Sequence, residues 1–316
     1  MKILIASPID TQATRTMRAR YDVVLALNAG PDELREAIRD REALIFRSGV
    51  QITAEVMAAA PNLKLLVRAG SGVDNIDLEY VRRRGLTLVR IPEPGAKAVA
   101  ELTFALMLAL SRHLLWADAL TRQGRWAKHE LNGYLLTGKT LGIVGAGNIG
   151  SRVGQMGAAW GMRVLGCVEH PTAAKALRLH QKGIRLTDLH EVLRQADFVC
   201  VHVPLKDSTV NLIDAEALAL MKPSAVLVNM ARGGVVDERA LREALTSGRL
   251  RGAALDVHER EGEGHISPLA DLPNVILTPH IGAMTVDSQR EIGERIVETL
   301  EAFRAGSHVR PAATSL

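Results

Sequence analysis

The sequence predicts an α/β protein built on parallel sheets. Short apolar runs alternate with amphipathic helical patterns from one end of the chain to the other. The runs are continuously apolar rather than alternating, as expected of strands covered by helices on both faces. A glycine-rich turn set between one such run and a helix adds a third sign, because sheets of this class bind ligands at their strand ends.

Taken in order, strands are expected at 2–6, 43–47, 63–69, 87–90, 140–144, 163–167, 198–203, 225–229, 252–256 and 275–277. Amphipathic helices are expected at 31–40, 54–60, 150–160, 237–246 and 288–305, with a long apolar helix over 98–120. The loop Ile91-Pro92-Glu93-Pro94-Gly95 punctuates the chain before that helix and suggests a domain boundary. The final helix has no strand of its own to cover in the second sheet, so it is expected to cross back. Residues 1–97 and 286–316 then form one discontinuous domain and 98–285 a dinucleotide-binding domain. A chain of 316 residues is long for a single core, which agrees with two domains.

Composition narrows the function. Hydrophobic residues make up 47% and charged residues 23%, ordinary for a globular enzyme. A net charge of +4 with only 3% aromatics and scattered basic residues argues against a nucleic-acid binder and fits attraction of a small anion. Cys167 and Cys200 sit in apolar runs without metal-site spacing, so no metal centre and no disulfide framework is expected. The uncharged stretch 102–111 is too short to span a bilayer, and the opening residues do not read as a signal peptide. A soluble, cytoplasmic protein is expected, with no membrane partner.

Thr140-Leu141-Gly142-Ile143-Val144 runs directly into Gly145-Ala146-Gly147-Asn148-Ile149-Gly150. Gly145 permits the tight turn, Gly147 lets a pyrophosphate approach the backbone, and Gly150 lets helix and strand pack closely. The helix N-terminus then offers N–H groups to phosphates. The next strand ends in Cys167-Val168-Glu169, where an acid would hold the ribose hydroxyls and repel a 2′-phosphate. The alternative, which carries less weight, is that Glu169 is simply a solvated loop acid.

Three further segments place a polar group just past an apolar strand. They are Asn229-Met230-Ala231-Arg232-Gly233-Gly234, Asp256-Val257-His258-Glu259-Arg260-Glu261 and Thr278-Pro279-His280-Ile281-Gly282. Reduction of a 2-keto acid needs a carboxylate clamp, which suits the planar fork of Arg232. It also needs a proton for the carbonyl oxygen, which suits His280 beside a glutamate. Any one of these residues alone would more often be a structural ion pair or loop residue.

With these segments the chain resembles the D-isomer-specific 2-hydroxyacid dehydrogenases. The similarity runs from Arg47-Ser48 through Arg68-Ala69-Gly70-Ser71-Gly72-Val73-Asp74-Asn75-Ile76-Asp77 and Ala100-Glu101-Leu102-Thr103 to the His280 motif. The resemblance implies two Rossmann-like domains with a cleft between them, the discontinuous one flavodoxin-like, and a homodimer. It implies NAD as cofactor and a small anionic 2-hydroxy or 2-keto acid as substrate. Arg232, Glu261 and His280 are the implied catalytic residues. Glu261 rather than Glu259 matches, because the family's acid lies five residues past Asp256. Implied cofactor contacts are Gly145, Gly147, Asn148, Ile149, Gly150, Glu169, Val203, Pro204, Met230, Ala231, Arg232, Asp256, His280 and Gly282, with Asp256 near the nicotinamide carboxamide. Implied substrate contacts are Arg47, Arg68, Ser71, Gly72, Arg232 and His280. Arg47 and Arg68 end strands of the first domain and are expected to read a second anionic group, unless each pairs with an acid such as Asp74 or Glu93.

The sequence departs from the family pattern at two places. The usual ribose aspartate is Val168, and Gly262 replaces the proline after the catalytic glutamate, in an unusual loop, 263–267. The regulatory extensions of many relatives are expected to be absent. Two rival readings remain at this stage: a dinucleotide-binding corepressor-like protein without turnover, and an oxidoreductase for a small inorganic or one-carbon anion.

Overall fold

A computed structural model describes residues 1–27 and 29–306. Two parallel sheets are present. The first contains β1 (Lys2–Ile5), β2 (Asp22–Leu25), β3 (Ala43–Phe46), β4 (Leu65–Arg68) and β5 (Thr87–Arg90), in the order β2-β1-β3-β4-β5. That is the flavodoxin-like order. The second contains β6 (Thr140–Val144), β7 (Arg163–Cys167), β8 (Ile184–Leu186), β9 (Phe198–Val201), β10 (Val226–Asn229), β11 (Gly252–Leu255) and β12 (Val275–Leu277), in the order β12-β11-β10-β9-β6-β7-β8. Strand order reverses at β6 and β9, the switch point where open α/β sheets bind ligands.

The chain divides into two compact units, Met1–Gly95 with the chain from Ala283 onward, and Ala96–Gly282. Within the first, the helix Val286–Arg304 buries Ile292, Ile296 and Leu300 in a cluster with Ile3, Ile5 and Met17. Its approach to the helix Thr11–Arg20 is close enough that a Cβ on Gly293 would lie 2.7 Å from the Ala13 methyl. In the second unit, the central strands are fully buried and covered on both sides by two clusters.

Several elements differ from the sequence reading. The strands β2 and β8 are edge strands, partly exposed and three or four residues long, so their apolar signal is weak. The helix Thr11–Arg20 buries only Ala13 and Met17, too few apolar positions to stand out. The helix expected over 98–120 is two helices, Glu93–Ser111 and Leu114–Arg122, broken at His113, which is left-handed at φ 53°. The Ser111 carbonyl accepts from Tyr134 N at 2.9 Å, so a distant segment takes the acceptor that continued helix would have used. The expected boundary loop is already helical from Glu93, because Pro94 is tolerated in a first turn. The helix Glu93–Ser111 meets the length and composition of a membrane span, contrary to expectation. Here it buries Ala100, Phe104, Leu106 and Met107 against the second sheet.

Candidate active site

The glycine turn after β6 shows three separate requirements. Gly145 is left-handed, at φ 92°, and a Cβ there would lie 2.7 Å from Val203 and 2.9 Å from the His202 carbonyl. A Cβ on Gly150 would lie 2.3 Å from the Gly145 carbonyl oxygen, so the helix start can sit against the turn only with glycine. Gly147 has nothing within 4 Å of that position, leaving open space at the start of the helix Asn148–Ala159. No side chain caps that helix. A crowded first and third glycine around an open second one is the cradle a pyrophosphate requires, and the residues fit a dinucleotide.

His202 follows β9 beside this turn. Both of its ring nitrogens are buried without a hydrogen-bond partner among the described residues, and burial pushes its pKa down to about 3. Val203 is half-buried and Pro204 exposed, whereas Met230 and Ala231, just past β10, are buried. Glu169, past β7, is exposed and forms an ion pair with Lys206 and a hydrogen bond with Ser208. Lys206 is a residue the sequence reading passed over; only its basic side chain near the end of a strand could have drawn attention to it.

Arg232, Glu261 and His280 lie on the loops after β10, β11 and β12, which are neighbours in the sheet. His280 Nδ1 is 2.9 Å from Glu261 Oε2. Burial pushes the Glu261 carboxyl upward, but the hydrogen bond and charge of His280 outweigh it and hold the carboxyl below its ordinary value. His280 itself is left-handed at φ 55°, a conformation uncommon outside glycine, and it turns the ring back toward Glu261. Arg232 is half-buried, and its Nη1 donates to the Ala231 carbonyl at 2.7 Å. Asn229 fixes the Arg232 turn from within, accepting from Ala231 N at 3.1 Å and donating to the Arg232 carbonyl at 3.3 Å.

The three loops are braced together by residues whose structural part was not foreseen. Asp256, expected near the nicotinamide carboxamide, is 2% exposed and accepts from Thr278 Oγ1 at 2.6 Å, Ile281 N at 2.9 Å and Gly282 N at 2.8 Å. It therefore holds the His280 loop on both sides. Glu238 and Glu259 exchange backbone bonds: Glu259 N donates to Glu238 at 2.7 Å, and Glu238 N donates to Glu259 at 3.1 Å. Burial raises the Glu238 carboxyl above its ordinary range. Gly233 lies so close to the next loop that a Cβ would overlap the His258 carbonyl oxygen at 1.8 Å. His258 Nε2 in turn lies 3.0 Å from the Thr278 carbonyl.

Within the first unit, Arg68 is 4% exposed, and its guanidinium donates to the Gly72 carbonyl at 2.9 Å and the Ala69 carbonyl at 3.1 Å. It thus shapes the loop that carries exposed Ser71 and half-buried Gly72. The Arg47 guanidinium is partly buried, which lowers its pKa, and it donates to the neutral Gln289 amide rather than to Asp74 or Glu93.

A doubly wound sheet with this turn is that of a dinucleotide-binding protein, and its strand ends carry a carboxylate–imidazole pair. Residues 104–282 match the family "D-isomer specific 2-hydroxyacid dehydrogenase, NAD binding domain". The D-3-phosphoglycerate dehydrogenase of Methanocaldococcus jannaschii is 40% identical over 97% of this chain and 58% of its own length. The hydroxypyruvate reductase of Thermotoga maritima is 37% identical over 95% of this chain and 97% of its own. A crystal structure of D-lactate dehydrogenase from Aquifex aeolicus, complexed with NAD and lactic acid, superposes with a TM-score of 0.85 at 32% identity, covering 96% of each chain. The chain belongs to the D-isomer-specific 2-hydroxyacid dehydrogenases, and its second unit carries their NAD-binding domain. It spans little more than half the length of the phosphoglycerate dehydrogenases it matches.

Proposed function

We propose that the chain is an NAD-dependent oxidoreductase of small D-2-hydroxy acids, interconverting the hydroxy acid and its 2-keto acid. The observation that carries this reading is the His280–Glu261 pair, 2.9 Å apart, at the strand ends of a dinucleotide-binding sheet. When bound, the nicotinamide cofactor supplies or accepts the hydride at the substrate's α carbon. Glu261 accepts from Nδ1 of His280, which leaves Nε2 as the atom that gives a proton to the carbonyl oxygen in reduction and takes it back in oxidation. The ionised Glu261 also stabilises the positive imidazolium that must exist before the proton is given. Arg232 clamps the substrate carboxylate through its planar fork.

Ser71, Gly72, Arg47 and Arg68 are assigned to the substrate on family resemblance. Arg47, with its neutral partner and partial burial, is the stronger choice for a second anionic group. A dianionic acid such as 3-phosphoglycerate is therefore the proposed substrate class. The protein is assigned to the cytoplasm as a homodimer. The dimer reading is supported by a stretch, 114–135, that exposes Leu114, Leu115, Trp116, Trp126 and Leu135, with Trp126 84% and Leu135 71% exposed.

The test is NADH oxidation with a panel of mono- and dianionic 2-keto acids, in wild type and His280→Ala. Turnover on at least one acid is expected, and the variant should lose roughly 10²-fold or more while binding NADH as before. Wild-type rates of hydride transfer in His280→Ala would remove the histidine from the chemistry. No turnover on any acid would favour a binding protein over an enzyme.

A further inference from the structure

The loop after β7 and the loop after β9 are joined by one ion pair. Glu169 receives Lys206 Nζ on Oε2 and Ser208 Oγ on Oε1, the latter at 3.3 Å, and His170 Nε2 lies 3.9 Å away. The bond from Lys206 leads the effects that hold the Glu169 carboxyl below its ordinary range, so the group is ionised and an ammonium answers its charge. The next cation along, Lys175, donates to the His170 carbonyl at 2.9 Å and so adds positive charge to the same loop. Half-buried, apolar Val168 occupies the position just past β7.

A lone carboxylate in this place hydrogen-bonds the ribose hydroxyls and repels a 2′-phosphate, whereas a nearby cation accommodates one. Here the carboxylate is not alone. We propose that the Glu169–Lys206 pair makes the ribose end of the dinucleotide site charge-neutral, so that the chain binds 2′-phosphorylated adenosine as well as the unphosphorylated form, with Lys206 as the deciding residue. The proposal rests on the dinucleotide reading of the glycine turn. Lys206 suits the task because its flexible stem carries three donors, which can move from a carboxylate to a phosphate bearing nearly two charges. An exposed ion pair holds little net free energy, so the exchange of partner meets little resistance. The expectation that Glu169 excludes NADP assumed an unpaired carboxylate.

The experiment is calorimetric binding of adenosine 2′,5′-bisphosphate and adenosine 5′-monophosphate, which differ only at the 2′ position. In wild type the two affinities should agree within about tenfold. Lys206→Ala should weaken the bisphosphate by roughly ten- to a hundredfold, the loss of one charge-assisted hydrogen bond, while the monophosphate is nearly unchanged. Glu169→Gln should strengthen the bisphosphate. A wild-type preference for the monophosphate beyond about tenfold overturns the proposal, as does an equal effect, or none, of Lys206→Ala on both probes. Binding of neither probe would instead sink the dinucleotide reading, and this proposal with it.

Discussion

Asp256 shows how one side chain can hold the backbone around His280, the residue proposed for acid–base work. It is the shared acceptor for Thr278 Oγ1 and for the backbone N–H groups of Ile281 and Gly282, the residues flanking His280. Those bonds maintain the left-handed backbone at His280 that turns its ring to Glu261. Replacing Asp256 by alanine leaves two backbone donors without their acceptor, at roughly 1–3 kcal/mol for each buried group. Asp256→Ala is therefore expected to lower unfolding free energy by about 2–6 kcal/mol in urea titration and to reduce turnover through displacement of His280. A urea midpoint equal to wild type would show that the loop holds itself. Gly282 belongs to the same arrangement, since a Cβ there would lie 2.9 Å from Asp256 Oδ2.

The strand–turn–helix formed by β6 and Asn148–Ala159 separates folding from binding in adjacent glycines. Gly150 faces its own turn, where an added methyl would meet the Gly145 carbonyl at 2.3 Å. Gly147 faces open space, where an added Cβ would have no non-neighbouring atom within 4 Å. Gly147→Ala should leave thermal stability nearly unchanged, because the methyl meets no protein atom, yet weaken NADH binding by obstructing the pyrophosphate. Gly150→Ala should instead destabilise the unit by about 1–3 kcal/mol, the usual cost of overpacking. Thermal melts with and without NADH distinguish the two, and equal behaviour of both variants would contradict this division of labour. The helix break at His113 has a similar element-scale cause, as the Tyr134 segment takes the Ser111 carbonyl.

At the scale of the whole molecule, exposed large apolar side chains are concentrated in the stretch 114–135. Two tryptophans and three leucines exposed in one stretch exceed what scattered surface residues account for. In sedimentation velocity the 34.2 kDa chain is expected to run as a pair. The double substitution Trp126→Ser, Leu135→Glu should return it to one copy, because a charge at a buried interface is costly. Sedimentation of the wild-type chain as a single copy would refute the dimer. The first unit is discontinuous along the chain, since it draws its closing helix, Val286–Arg304, from beyond the second.

The sequence by itself determined the α/β class, the central strands of both sheets, the return of the last helix and the glycine turn. Each of these is written in residues close along the chain: a continuous apolar run, a 3.6-residue period, or glycines at fixed spacing. It also presented Arg232, Glu261 and His280 as strand-end residues, and the order of β10, β11 and β12 makes those loops neighbours. Only the tertiary structure decided the edge strands β2 and β8, whose short, half-exposed residues leave little apolar signal. It alone revealed the bracing by Asp256 and Glu238 and the pairing of Glu169 with Lys206, partners 37 positions apart. The physical reason is the same in each case. Burial periodicity is a local property that the chain displays along its length, whereas a hydrogen bond between two loops exists only after the sheet has set its strands side by side.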